Sequence, residues 1–356
     1  MTSTQPARAQ KVGVNATAFT SGIWGTALPF PSPLAYSFGY LVAVDRGVIA
    51  VDLGWNSDES WDAFQFGLTR SGSSLDNLVG VVVSHVHPDH YGLAARVREN
   101  TGAWIAMHPA EIPHIVTDAQ QSRQRVDDMS AWLVECGVPA EVLEEINAEE
   151  ALLQSSFATV MPDVLLDDGD TVPDSGGSLV AWHTPGHTPG HLCFRDEQRN
   201  VVFTGDHVLP RVTPNVSRRP GYGDDPLTNY AASLEKMGMA GKDALVLPGH
   251  EWAFDSLHTR LEFLKEHQDD RSREVESVVA TGGEQTVWEV TKSLRWSRPF
   301  ENLASRGRRQ AIGETHAHLH LLRNQGKLTA SDGTPERWST GGIEKVRSGS
   351  TKGRTA

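Results

Sequence analysis

The chain has 356 residues, a formal net charge of −13, 38% hydrophobic and 22% charged residues, which excludes a fibrous, low-complexity or membrane-embedded polypeptide. The acidity is uneven: residues 271–356 carry 15 Lys and Arg against 9 Asp and Glu, and the remainder 17 against 36. The body is therefore a poor general binder of polyphosphate backbones, and only the C-terminal piece could grip one.

Residues 1–15 are polar and are expected to be flexible. Residues 16–54 read as opening strands, with a tight Asp45-Arg46-Gly47 connection that suggests a hairpin, and Asp52-Leu53-Gly54 ends a buried strand on a carboxylate. Trp61, Phe64 and Leu68 recur at helical spacing, predicting a helix over Ser60–Thr69. The β-branched run Val79–Val83 then leads directly into Ser84-His85-Val86-His87-Pro88-Asp89-His90, three imidazoles and a carboxylate where a strand ends and a loop begins. Two apart in an extended segment, His85 and His87 point to the same side and can grip one cation. Asp89 and His90, past the bend at Pro88, are free to face a second. A helix over Tyr91–Glu99 and a strand at Trp104–Met107 follow, with His108 at its end read as structural.

Residues 111–157 form a helical insertion. Met129, Trp132, Leu133 and Cys136 mark one face of its first helix, and Val142–Leu153 is the second. The insertion is expected to wall or cover the site, with Met129 and Trp132 touching substrate; the plainer reading makes that stripe core. Asp167-Asp168-Gly169-Asp170 is a turn. Three more segments then repeat the design of the first cluster. Ser178–Trp182 leads to His183-Thr184-Pro185-Gly186-His187, Asn200–Phe203 to Thr204-Gly205-Asp206-His207, and Ala244–Leu247 to Pro248-Gly249-His250. Four strand ends presenting ligands along one edge is how a sheet assembles a site from distant sequence. The loop Leu209–Asp225 carries Arg211, Arg218 and Arg219, cations that suit an anionic substrate end such as a carboxylate or phosphate, with Arg211 the chosen contact.

A helix is expected over Glu251–His267, then a charged connector at Gln268–Ser272 with a domain boundary near residue 265. Thr286-Val287-Trp288-Glu289 has capping-box spacing and opens a helix through Leu294. Arg309–Asn324 is a longer helix, and a small hairpin follows over 327–333. His316, His318 and His320 lie two apart on that helix, successive side chains about 200° from one another, so all three cannot hold one ion and packing or solvent exposure is the better reading. Residues 341–356 are expected to be a disordered tail. Cys136 and Cys193 have no disulfide-framework or metal spacing and read as buried thiols. With no apolar run of signal-peptide or membrane-spanning length, the expected location is the cytoplasm, away from membranes.

The H-x-H-x-D-H pattern of His85–His90, with isolated His187, Asp206 and His250 at strand ends, resembles the metallo-β-lactamase superfamily of metal-dependent hydrolases over about residues 15–265. The resemblance implies an α/β fold for residues 16–265, an αββα sandwich of two mixed sheets flanked by helices. It makes His85, His87 and His187 the ligands of a first metal, Asp89, His90 and His250 those of a second, and Asp206 the bridge. Asp52 matches an aspartate that orients ligands, and with Asp89 it is a candidate catalytic carboxylate; His191 is left as a support behind the ligands or as structural. Residues 266–340 resemble the winged-helix-like module that ends one branch of the superfamily. The implied cofactors are two Zn2+, with iron or manganese as alternatives, and the implied chemistry is attack by a metal-bridging hydroxide. The expected substrate is a small molecule with an ester-like acyl bond, first a thioester of acyl-CoA or acyl-carrier type. A lactone or single-stranded RNA is the alternative, and a homo-oligomer is left open. His207-Val208-Leu209-Pro210 departs from glyoxalase II, and Asp89 departs from true β-lactamases, so glutathione thioesters and antibiotics rank lower. A non-enzymatic role with structural metals is disfavoured, because the ligand layout leaves water positions open.

Overall fold

β-Branched and aromatic residues from Thr17 to Val51 build an antiparallel meander of β1 (Thr17–Thr20), β2 (Ile23–Pro29), β3 (Tyr36–Val44) and β4 (Gly47–Val51). The computed structural model describes residues 16–31, 34–116, 118–154 and 160–341. The expected flexible start, the end of the insertion at 155–157 and the tail from 342 lie outside them. Val44 pairs with Gly47 across the expected hairpin. At Gly47, φ is 145° and a Cβ would stand 2.1 Å from the Asn77 carbonyl oxygen, so the turn requires glycine.

Next comes α1 (Asp58–Arg70), capped by the Ser57 side chain, which accepts from the Ser60 N–H. β5 (Leu78–Val82), α2 (Pro88–Tyr91), α3 (Ala94–Asn100) and β6 (Trp104–Met107) follow. The expected loop after His87 is thus a one-turn helix with Pro88 at its start, where its missing N–H costs nothing. The insertion contributes α4 (Ala119–Glu135) and α5 (Ala140–Gln154), and β7 (Val164–Leu165) completes the first sheet. Its strands run in the order β1 to β7, antiparallel up to β4 and parallel thereafter.

The second sheet is built from β8 (Leu179–His183), β9 (Leu192–Asp196), β10 (Val201–Gly205) and, after α6 (Pro226–Met237), β11 (Leu245–Pro248). Its order is β11-β10-β9-β8, with only β10 and β11 parallel. Phe38, Tyr40 and Val51 of the first sheet pack on Leu192, Phe194 and Phe203 of the second. Trp61, Phe64 and Val97 of α1 and α3 cover the first sheet's outer face, and Tyr230 and Leu234 of α6 cover the second's. This is the expected αββα sandwich of two mixed sheets.

The remaining elements are α7 (Leu257–Gly282), β12 (Gln285–Thr286), α8 (Val287–Ser293), α9 (Ser305–Asn324), β13 (Leu328–Ala330) and β14 (Arg337–Thr340), the strands forming a small sheet in the order β12-β14-β13. Thr286 and Glu289 form the expected capping box. The expected connector at Gln268–Ser272, with its boundary near 265, is instead the interior of α7. Asp269 and Asp270 lie on the solvent side of a long helix, with Arg273 paired to Asp270 three residues back, while Arg271 turns in to Glu274 and Glu314 and Leu264 and Val275 on either side are buried. Composition alone does not separate a charged linker from an exposed helix turn. The insertion shares a core with these elements: Met129, Trp132, Leu133 and Ile146 pack with Val279, Val290, Ile312, Leu319 and Trp338. Among the described residues, no helix is long and apolar enough to cross a membrane.

Candidate metal centre

The C-terminal ends of β4, β5, β10 and β11, with the loop after β8, deliver their polar residues to one edge of the sandwich. Beyond β5, His85 Nε2 lies 2.9 Å from His87 Nδ1, and His187 Nε2 lies 3.1 Å from the same nitrogen. α2 carries the next two residues to the other side. There Asp89 Oδ2 is 3.3 Å from His250 Nε2 and 3.7 Å from His90 Nε2. Ligands held at about 2.05 Å around a tetrahedral ion would stand ~3.3 Å apart, so both trios have the separations of ligands that share a cation. Asp206 stands between them. Its Oδ1 is 3.4 Å from both His90 Nε2 and His250 Nε2, and its Oδ2 is 3.7 Å from His187 Nε2.

A second layer of contacts fixes which ring nitrogen faces the centre. Asp52 Oδ2 accepts from His90 Nδ1 at 2.8 Å, and the same carboxylate accepts the Ser84 N–H at 2.7 Å and hydroxyl at 2.8 Å. His187 Nδ1 donates to the Asn215 carbonyl at 2.8 Å and His250 Nδ1 to the Tyr36 carbonyl at 3.1 Å. Each bond commits the far nitrogen to the centre. His191 Nε2 accepts the Asp206 N–H at 3.2 Å, the structural role expected of it.

Glu111 is the residue sequence reasoning missed. Fully buried, it accepts the Val86 N–H at 2.8 Å and the Gly190 N–H at 2.6 Å, tying the loop of His85 and His87 to the loop of His187. No periodicity or motif marks it; only the oddity of a glutamate in an otherwise apolar Pro-Ala-Glu-Ile-Pro run hints at a buried role. Glu251, next to His250, accepts the Arg211 and Val212 N–H groups and the Arg211 Nε–H at 2.9 Å. Arg211 is thereby spread over Trp252 rather than turned to the centre.

The electrostatics divide the two trios. Burial first, then neighbouring imidazoles or Arg219, hold His85 and His87 well below the usual histidine range, and burial also lowers His187. All three are neutral at pH 7, the form that binds metal. At the second trio burial opposes charge on the rings, but Asp206, Asp52 and Asp89 outweigh it. His90 is raised well above its ordinary value and His250 to about 10. Burial likewise pushes the Asp89 and Asp206 carboxyls up, and their histidines more than reverse this, leaving both lowered. The spot demands positive charge. His90 Nε2 and Asp206 Oδ1 are buried, and among the described residues neither has a hydrogen-bond partner. Such orphans are costly unless a cation lies between them, and the donor set fits a metal pair.

A cavity of about 230 Å³ opens on this edge, its wall including His87, His187, Trp55, Met129, Arg219 and Tyr222. Met129 lines this cavity while packing in the shared core. Trp132, the other expected contact, does not line the cavity; it is 4% exposed within the shared core and donates from Nε1 to His316 Nδ1 at 3.0 Å. His316, His318 and His320 are all buried, which selects packing over solvent. His316 and His320, one helical turn apart, approach to 3.1 Å with Glu336 3.3 Å from His316. Trp132 occupies His316 Nδ1, so the ring proton sits on Nε2 and this cluster is a hydrogen-bonded network.

Comparison with known proteins agrees with this geometry. The chain is 24% identical over 315 residues to the probable metallo-hydrolase YqjP of Bacillus subtilis, covering 85% of this chain and 93% of that one. It is 28% identical over 151 residues to the acyl-coenzyme A thioesterase MBLAC2 of Bos taurus, a match spanning 41% of this chain and 48% of the relative. The crystal structure of the metallo-beta-lactamase family protein TTHA1429 from Thermus thermophilus superposes with a TM-score of 0.75 at 25% identity, over 91% of this chain and all of that one. The family model of the metallo-beta-lactamase superfamily matches residues 34–250, the span holding both ligand trios and Asp206, and the chain belongs to that superfamily.

Proposed function

We propose that the chain is a zinc-dependent hydrolase of thioesters, acting on an acyl group carried by coenzyme A or by an acyl-carrier arm. The observation that carries this reading is Asp206, whose two oxygens face two separate ligand sets beside a cavity. His85, His87 and His187 would hold one ion, Asp89, His90 and His250 the other, with Asp206 between. When bound, such a pair supplies an acidified water and a Lewis-acid contact for a carbonyl oxygen. Asp52 keeps His90 in the required tautomer. His87 offers Nδ1 to its trio, so its Nε2 carries the proton and donates to the Tyr222 hydroxyl at 3.2 Å; the Tyr222 hydrogen is left for substrate. Trp55, Met129 and Pro220 line the cavity with apolar surface suited to an acyl chain.

Neither cysteine competes as nucleophile. Burial raises the Cys136 thiol well above its ordinary value and pushes Cys193 up to about 12, so thiolate is scarce. Buried, unpaired thiols also suit a reducing, cytoplasmic location. The likeness to the bovine acyl-coenzyme A thioesterase supports the choice of thioester. The order α7, β12, α8, α9, β13, β14 supports a winged-helix-like reading of residues 266–340. Metal analysis joined to a screen of one acyl group as thioester, oxygen ester and lactone, with single-stranded RNA alongside, tests the proposal. Two zinc ions per chain and the highest kcat/KM on the thioester are expected; turnover of lactone or RNA without thioester would sink it.

A further inference from the structure

The cavity beside the metal centre is charged in a way that hydrolysis of a simple ester does not require. Four arginines line it, Arg125 of α4, Arg219 of the loop after β10, and Arg306 and Arg309 of α9, against one carboxylate, Asp128. They come from three separate parts of the chain, so their meeting is not the by-product of one charged helix face. Arg219 stacks 3.8 Å over the Tyr222 ring. Its Nε is buried, with no hydrogen-bond partner among the described residues. Its Nη2 lies 3.2 Å from His87 Nε2, an atom that carries a proton whenever His87 offers Nδ1 to the trio. Donor then faces donor, and apart from the Tyr222 hydroxyl beside it this guanidinium is open to an acceptor from outside the chain.

The geometry points to a phosphate-bearing thiol carrier as the leaving group, its phosphate held by Arg219, Arg306 and Arg309, a subsite that rests on the thioesterase reading. One guanidinium satisfies a carboxylate bidentately, whereas the phosphate of this arm, a diester on a carrier protein and half of a pyrophosphate in coenzyme A, stays ionised and presents non-bridging oxygens in several directions, which converging forks can share. Phosphopantetheine supplies this chemistry whether it is part of coenzyme A or borne on a carrier protein. Met129 and Trp55 would then face the apolar remainder of the substrate.

The test is calorimetric titration of the full, zinc-loaded chain with 4′-phosphopantetheine and with pantetheine. The thiol is common to both, so the ratio of their affinities isolates the phosphate. At least tenfold tighter binding of the phosphorylated compound is expected, falling below threefold in the Arg306→Ala, Arg309→Ala double variant. Equal affinities for the wild-type chain overturn the inference without recourse to any variant, as does an unchanged ratio in a folded double variant. Displacement of phosphopantetheine by coenzyme A assigns a small-molecule source, and displacement only by a phosphopantetheinylated protein assigns a protein-borne one; displacement by neither overturns the subsite. Binding needs no turnover, so a chain that prefers the phosphate but hydrolyses no thioester refutes the activity and keeps the anion site.

Discussion

Asp52 Oδ2 stands 2.8 Å from His90 Nδ1, and the backbone that holds it there has φ of 60°, the left-handed region that non-glycine residues seldom enter. The unusual conformation is sustained by the Ser84 N–H and hydroxyl, both donated to the same carboxylate. A strained residue held by three bonds against a ligand's far nitrogen indicates a positioning role.

Asp52→Asn tests it. The amide can still accept from Ser84, but its NH2 would face His90 Nδ1, which must then accept and leave the proton on Nε2, the atom turned to Asp89 and Asp206. Affinity for the second metal is expected to fall about 10- to 100-fold, read by competition with a zinc chelator, while the first site of His85, His87 and His187 keeps its ion. Equal loss at both sites would indicate general damage instead.

Asp206→Ala removes the group facing both trios. Turnover is expected to vanish, and metal analysis should find about one ion per chain in place of two. Full occupancy with undiminished activity would falsify the bridging assignment.

Glu111→Gln keeps the size of a side chain that accepts from both ligand loops. An amide can accept from Val86 or Gly190 but not both, leaving one buried N–H opposite its own NH2. A loss of about 1–3 kcal/mol is expected, measured by denaturant unfolding with metal removed. Zinc binding should weaken mainly at the trio whose loops Glu111 joins. An unchanged unfolding midpoint would show that water replaces the lost acceptor.

The sandwich and both trios were legible because each ligand directly follows a short apolar strand, and because the spacing of His85, His87, Asp89 and His90 survives in the sequence itself. Less was legible where a role depends on contacts between distant segments. Glu111, Tyr222, Arg306 and Arg309 acquire meaning only when α4, the loop after β10 and α9 meet. β9 carries the charged pair Arg195-Asp196, a weak strand signal, yet both are buried, with Arg195 donating to the Asp196 and Val201 carbonyls at 2.8 Å. α6 had an available signal in Asp225-Pro226, a cap followed by a first-turn proline, with Leu227, Tyr230 and Leu234 on one face. Trp132 was misplaced because a helical stripe of Met and Trp looks the same facing substrate or core. Here both lie in the shared core, and Met129 alone also lines the cavity.

His318 gives the pH prediction, since it sits on α9 away from the metal trios. Burial first, then Arg271 and His267, lower it to about 3, and Ser272 Oγ lies 2.9 Å from its Nδ1. In the unfolded chain the same ring titrates near ~6.5. Between these values the unfolded state takes a proton that the folded state refuses, so stability rises with pH there, is complete above about 6.5 and is lost as pH falls. One such group contributes a slope of up to ~1.4 kcal/mol per pH unit. His320, also lowered to about 3 by burial and then by His316, adds to the same trend. Metal-free unfolding measured from pH 7.5 to 5 should therefore steepen below 6.5. His318→Gln should remove about one proton's worth of that slope, even if its stability at pH 7.5 is lower than that of the wild-type chain. An unaltered slope in the variant would mean that the ring is already charged within the fold, and the buried, neutral assignment would have to be abandoned.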